Sequence, residues 1–190
     1  MIKELVRKNR SYRRFYQEKT IELDTLINLI DLARLCPCGR NMQGLKYMIF
    51  NDKENNLKIS ENVFWAGYLK DWNGPEEGER PSAYILMFRD KTLNSIPQDE
   101  GIALQTMLLG AVEKGLGGCI LGNINRVKIK EELAFDDKYE LAFVLALGYP
   151  KEEVIIENIS EDGDVKYWHD ENDANHVPKR ALEDLIINNK

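Results

Sequence analysis

The spacing of apolar residues changes several times along this chain, and each change marks an element. Residues 2–8 place Ile2, Leu5 and Val6 on one helical face. Residues 11–20 break that period. Residues 23–35 restore it, with Leu23, Leu26, Ile27, Ile30 and Leu35 on one stripe, and Pro37 and Gly39 stop the helix. Residues 45–50, rich in aromatic and branched side chains, predict a strand. Residues 53–69 read as helical in part. Residues 70–81 read as a loop, because Gly74, Pro75, Gly78 and Pro81 punctuate them.

The second half is more apolar. Residues 83–88 form a nearly continuous apolar run, as a strand buried on both faces requires. Residues 99–114 carry the strongest helical signal, with Ile102, Leu104, Met107, Leu108 and Ala111 covering much of the circumference, so they predict a buried central helix. Gly115 to Gly122 then joins that helix to a short strand-like segment. A small helix follows at 128–133 and a second buried strand at 140–147, ended by Gly148-Tyr149-Pro150. Residues 154–159 and 165–168 flank Glu161-Asp162-Gly163-Asp164, a hairpin-type turn. Residues 179–187 predict a closing helix with Pro178 at or before its first turn. There is no internal repeat and no low-complexity linker. Helices and strands mix without regular alternation, which predicts an α+β fold in a single domain over residues 1–190.

Composition narrows the class. A hydrophobic share of 43% in 190 residues is enough for a core without metal or disulfide staples. The net charge of −6 disfavours nucleic acid and anionic membrane surfaces as partners. No apolar run reaches the roughly 20 residues of a membrane span, and the charged start is not a secretory leader. Three cysteines do not make a disulfide framework, so the expected compartment is the cytoplasm.

Three polar or basic clusters carry candidate chemistry. The first is Asn9-Arg10-Ser11-Tyr12-Arg13-Arg14-Phe15, the second Cys36-Pro37-Cys38-Gly39-Arg40-Asn41-Met42-Gln43, and the third His176-Val177-Pro178-Lys179-Arg180. Cations gathered this way suit one small phosphorylated anion, which needs several charge-assisted donors at short range. Taken alone, the first cluster is better explained by a solvated basic turn after a helix. The glycines of 115–122 follow a helix rather than opening one, and no Walker lysine accompanies them, so they are not a dinucleotide or P-loop fingerprint. They either let main-chain N–H groups approach a flat ligand or pack a helix tightly against a strand. Cys36 and Cys38 have the wrong spacing for a zinc half-site or a thioredoxin motif, and Cys119, His169 and His176 are too scattered to complete a metal site. Asp99 and Glu100 sit where a helix dipole or cap would use them. Phe64, Trp65, Tyr68 and Trp72 either roof a pocket or pack the core beneath a loop.

Taken together, these segments resemble the FMN-dependent nitroreductase family over essentially the whole chain. The resemblance runs through Arg10-Ser11-Tyr12-Arg13-Arg14-Phe15, then Ala33 to Gln43, which follows Ala-x-x-x-Pro-Ser-x-x-Asn-x-Gln. It continues through Asp99-Glu100-Gly101-Ile102-Ala103-Leu104-Gln105, Gly115 to Gly122, Leu147-Gly148-Tyr149-Pro150 and the basic pair Lys179-Arg180. It implies an α+β sandwich around a mainly antiparallel sheet, an intertwined homodimer, and FMN at the subunit interface. Arg10 and Ser11 would hold the phosphate and ribityl end, and Lys179 and Arg180 would complete the phosphate cage. Arg13 would face the pyrimidine edge. Pro37, Cys38, Gly39, Asn41 and Gln43 would come from the partner subunit. Main-chain N–H groups of Leu121 and Gly122 would lie near the reactive flavin nitrogen.

The implied activity is a ping-pong transfer of hydride from NAD(P)H to a nitroaromatic, quinone or similar flat acceptor, with no side-chain acid or base required. Three departures stand out: Cys38 replaces the usual Ser, Gly44-Leu45 replaces the common Pro-Trp, and the chain is short for the family. Two rival readings are a flavin-binding or redox-sensing module without turnover and a thiol redox protein using Cys36 and Cys38.

Overall fold

Residues 1–93, 96–161 and 163–188 are described by the computed structural model. The chain divides into two compact units. One comprises Met1–Trp65 and Gly74–Lys151, the other Ala66–Asn73 with the chain from Glu152 onward.

The first unit is built on a four-stranded antiparallel sheet. Its strands are β1 (Leu45–Phe50), β2 (Ala83–Asp90), β3 (Gly117–Leu121) and β4 (Tyr139–Gly148), in the order β1-β2-β4-β3. Each side of β2 meets its own core. Ala83, Ile85 and Met87 face one cluster; Tyr84, Leu86 and Phe88 face the other. With a side-chain period of two, a strand covered on both faces must be apolar throughout, which is why 83–88 lacks alternation. A register shift between Met87 and Phe88 moves the pairing with β4 from Phe143 to Leu141.

Two helices cover the first face: α2 (Leu23–Arg34) and α4 (Pro97–Glu113), which pack on each other. On the second lie α3 (Lys53–Ser60), closed by its Asp52 cap on Asn55 N–H, and α5 (Arg126–Leu133). Their Ile59 and Ile129 belong to the second cluster. The signal at 99–114 and the helix α4 agree, and Pro97 starts it at a position that needs no N–H donor. In α2 the buried stripe is Leu26, Leu29 and Ala33, while Leu23, Ile27 and Leu35 of the predicted stripe are exposed. The N-terminal helix α1 (Ile2–Lys8) buries no residue.

In the second unit, β5 (Val154–Asn158), β6 (Trp168–His169) and β7 (Asn175–Lys179) form a sheet in the order β5-β7-β6. The predicted hairpin between 154–159 and 165–168 does not form, because β7 lies between those segments, parallel to β5 and antiparallel to β6. Of the turn signal itself, Asp162 lies outside the described residues. The closing α-helix is also absent. Residues 175–179 are strand, and only Glu183–Leu185 winds into a 3-10 turn. Leu182, Leu185 and Ile187 are 65–96% exposed, so no packed face supports a helix that short.

Candidate functional site

The first basic cluster leaves α1 through Asn9, a buried side chain whose Nδ2 donates to Gln105 Oε1 of α4 at 3.2 Å. The chain then runs beside the edge strand of the sheet. Ser11 bridges Gly118 in parallel, and Tyr12 N donates to the Gly118 carbonyl at 3.1 Å. Phe15 is fully buried and bridges Pro150, which anchors the far end of the motif. The first cluster is therefore joined to the glycine-rich segment: Arg10, Ser11 and Arg13 lie alongside its strand. Ser11 is exposed, Arg10 half-buried and Arg13 buried. Arg10 donates from Nε to the Asn9 carbonyl at 2.5 Å and from Nη2 to the Val6 carbonyl at 3.0 Å. Burial pulls its guanidinium below the usual pKa. Arg13 Nη1 donates to the Ser11 carbonyl at 3.2 Å.

The glycines of β3 divide by role. A Cβ on Gly117 would meet the Tyr12 ring at 2.4 Å, and one on Gly118 would meet the Ala146 carbonyl oxygen at 2.6 Å. Close packing accounts for both. Leu121 is buried at the end of β3, and Gly122 follows it, exposed, with its carbonyl accepting from Arg126 Nη2 at 3.3 Å.

The second cluster sits at the start of α4. Asp99, 4% exposed, accepts from Gly39 N–H through Oδ1 at 2.8 Å, while its buried Oδ2 has no hydrogen-bond partner among the described residues. Beside it opens a cavity of about 320 Å³ lined by Pro37, Cys38, Asn41 and Gln43, with Tyr47 of β1 also in the wall. Burial, and then the neighbouring Cys36, pushes the Tyr47 hydroxyl up to about 12. Arg40, Asn41 and Gln43 all have left-handed backbone, with φ of 51°, 54° and 52°. Such strain in non-glycine residues persists only where surrounding structure holds it. The thiols are tied locally: Cys36 Sγ to Thr106 Oγ1 at 3.1 Å, and Cys38 Sγ accepting from Gln43 N–H at 3.4 Å.

Glu100, next to Asp99, forms a bidentate pair with Arg89 at 2.5 and 3.0 Å. Both acids lie in the first turn of α4, as the dipole reading placed them, yet each also has a specific partner. Lys179 and Arg180 are exposed at the end of β7 in the second unit. The four aromatic residues separate. Trp65 packs on the second core cluster and Phe64 is exposed in the first unit, whereas in the second Tyr68 packs against Tyr167 at 5.1 Å and Trp72 meets His169 edge-on at 6.3 Å. Sequence reasoning placed Asn9 in the first cluster without giving it a role, and missed Tyr47 as a site-forming residue. Asn9, at the helix C-cap, carried a usable signal; Tyr47 read only as a strand residue. Among the described residues no cluster of His, Cys, Asp or Glu could hold a metal, and no helix is long and apolar enough to cross a membrane.

The sequence profile of the nitroreductase family matches residues 78–149. A curated relative, iodotyrosine deiodinase of Thermotoga neapolitana, is 27% identical over 167 residues, covering 79% of this chain and 89% of its own length. A second, from Archaeoglobus fulgidus, is named as a candidate NADH dehydrogenase/NAD(P)H nitroreductase; it is 27% identical over 149 residues, covering 74% of this chain and 80% of its own. The same architecture occurs in a candidate nitroreductase of Desulfovibrio desulfuricans solved in complex with FMN. That structure has a TM-score of 0.71 at 19% identity and covers 100% of this chain and 96% of its own. The antiparallel sheet with its buried α4 defines an α+β fold shared with that structure. Through residues 78–149 the chain is similar to the nitroreductase family.

Proposed function

We propose that the protein is an FMN-dependent oxidoreductase that takes electrons from NAD(P)H and passes them to a flat acceptor such as a nitroaromatic or quinone. The observation that carries this reading is the junction of Ser11 with Gly118, which sets two guanidinium groups and an exposed hydroxyl beside the end of β3. That donor set fits a phosphorylated, partly flat cofactor. Arg10 and Ser11 would hold the phosphate and ribityl end, with Arg10 Nη1 as the guanidinium nitrogen that donates to no carbonyl among the described residues. Arg13 would face the pyrimidine edge and stabilise negative charge there. Main-chain N–H groups near Leu121 and Gly122 would orient the reactive ring. Bound FMN would supply the redox chemistry, accepting hydride from the nicotinamide and giving it up to the second substrate after the first has left.

The loop of Pro37, Cys38, Gly39, Asn41 and Gln43 would complete the site from a second copy of the chain. Support for a homodimer comes from apolar side chains left uncovered: Ile2 and Val6 on α1, and Leu23, Ile27 and Leu35 at α2 and its C-terminal cap. The Thermotoga relative supports a second reading of the acceptor half-reaction, reductive removal of iodide from a halogenated tyrosine.

Anaerobic mixing of the FMN-loaded protein with NADH or NADPH tests the donor half. Rapid bleaching is expected, whereas a non-catalytic flavin-binding module would keep its colour. Adding nitroaromatic, quinone or iodotyrosine to the reduced protein then ranks the acceptors. Reoxidation by iodotyrosine with iodide release, and by no other acceptor, would replace the first reading with the second.

A further inference from the structure

A second cavity, of about 330 Å³, opens in the first unit between residues 17–20, the start of α3 and residues 77–82. Two buried atoms of its lining residues lack hydrogen-bond partners among the described residues: Asn56 Oδ1 and Ser82 Oγ. Ser82 is 6% exposed. The Asn56 amide is held, because its Nδ2 donates to the Ser82 carbonyl at 2.9 Å. An acceptor and a hydroxyl left unmet at one cavity lose their hydration with no return, unless something in the cavity answers them.

Four charged residues line the same space: Arg80, Lys53, Glu18 and Glu77. None of them forms an ion pair among the described residues, whereas Glu79, within the same segment, pairs with both Arg14 and Lys151. The wall that carries Arg80 is fixed. Gln17 Oε1 accepts from Gly78 N–H at 2.7 Å and Arg80 N–H at 3.2 Å, and Phe15 N–H donates to the Glu79 carbonyl at 2.9 Å.

We propose that this cavity binds a small zwitterion of the amino-acid type. Its carboxylate is held by Arg80 and the Ser82 hydroxyl, and its ammonium by Asn56 Oδ1 with the carboxylates of Glu77 and Glu18. The lining balances two cations against two anions and offers only Leu57 and Pro81 as apolar side chains, so an aromatic ligand gains little from burial there. A simple anion would answer Arg80 and leave the Asn56 acceptor facing negative charge. A simple cation would leave the guanidinium unmatched. The volume lies at the small end of ligand pockets.

Isothermal titration of the full chain with glycine, L-serine and L-glutamine tests this, with acetate and methylammonium as single-charge probes. At least one amino acid should bind saturably, with both single-charge probes roughly tenfold weaker or more. Arg80→Gln should cut amino-acid affinity at least tenfold, the loss of one charge-assisted contact. Should that variant misfold, the Asn56 side-chain amide resonance of the wild-type protein must shift on adding the amino acid. Absence of binding by every probe at millimolar concentration would overturn the proposal, as would acetate binding as tightly as the amino acids. Unchanged amino-acid affinity in a folded Arg80→Gln protein would do the same.

Discussion

Carbonyl groups orient the basic residues at the start of the chain. Arg10 is held by the Asn9 and Val6 carbonyls and Arg13 by that of Ser11, so less side-chain freedom is lost when an anion arrives. Arg10→Ala should therefore weaken FMN retention roughly tenfold to a hundredfold, the worth of one charge-assisted hydrogen bond. Equilibrium dialysis against FMN measures this, and unchanged affinity would remove Arg10 from the site. Cys38 stands where the family resemblance expects Ser, and its Sγ accepts from Gln43 N–H and donates to Asn41 Oδ1 within the same loop. Cys38→Ser should keep turnover; loss of activity would favour the thiol reading instead. Glu100 is 4% exposed and depends on Arg89, which is one-third exposed. Arg89→Met should cost about 2 kcal/mol in urea unfolding, below the full penalty for an unpaired buried charge because water reaches part of the site.

At the level of elements, legibility followed packing. β2, β4 and α4 were readable because a segment buried on both faces must be apolar nearly throughout. The α2 stripe was misread because two apolar faces share one short helix, and periodicity alone does not say which faces the sheet. Residues 179–187 carry helical spacing with no surface to bury it, so propensity had nothing to support it. The 161–164 turn signal describes local geometry, whereas the partner of β5 is chosen by β7, about 20 residues on. In the site, Arg10-Ser11 was visible as composition, while its contact with Gly118 is a tertiary fact no spacing encodes. Gly118→Ala tests that contact: the added carbon would strike a backbone carbonyl, so β3 should shift and stability fall by about 1–3 kcal/mol in thermal or urea unfolding.

The β5-β7-β6 sheet carries a pH response of its own. His176 lies between Glu157 at 2.9 Å and Asp170 at 3.4 Å, with Trp168 stacked at 4.2 Å. The Glu157 hydrogen bond, joined by that of Asp170, raises its pKa from the ordinary 6.5, with desolvation opposing. A raised native value means the stabilisation is complete below 6.5 and is lost as pH climbs through the native value. The lowered values of Glu157, set first by His176, and of Asp170, set first by the Ala174 N–H, act in reverse. Their contribution is present above the usual carboxylate range and disappears as pH falls through the native values. A nuclear magnetic resonance titration of His176 should show a midpoint above that of a free imidazole; a midpoint below it would contradict the clamp.

The whole molecule leaves α1 without a buried residue and α2 with an uncovered apolar stripe. In the proposed dimer, a second chain would cover those surfaces and bring its Pro37–Gln43 loop to the first chain's Arg10 and Ser11. Sedimentation should find a dimer, and a flavin-loaded monomer would oppose the shared site. The most direct test is the visible spectrum of the purified protein after incubation with FMN and removal of the free cofactor. The proposal predicts a yellow protein retaining about one flavin per chain; a colourless protein that takes up no FMN would contradict it.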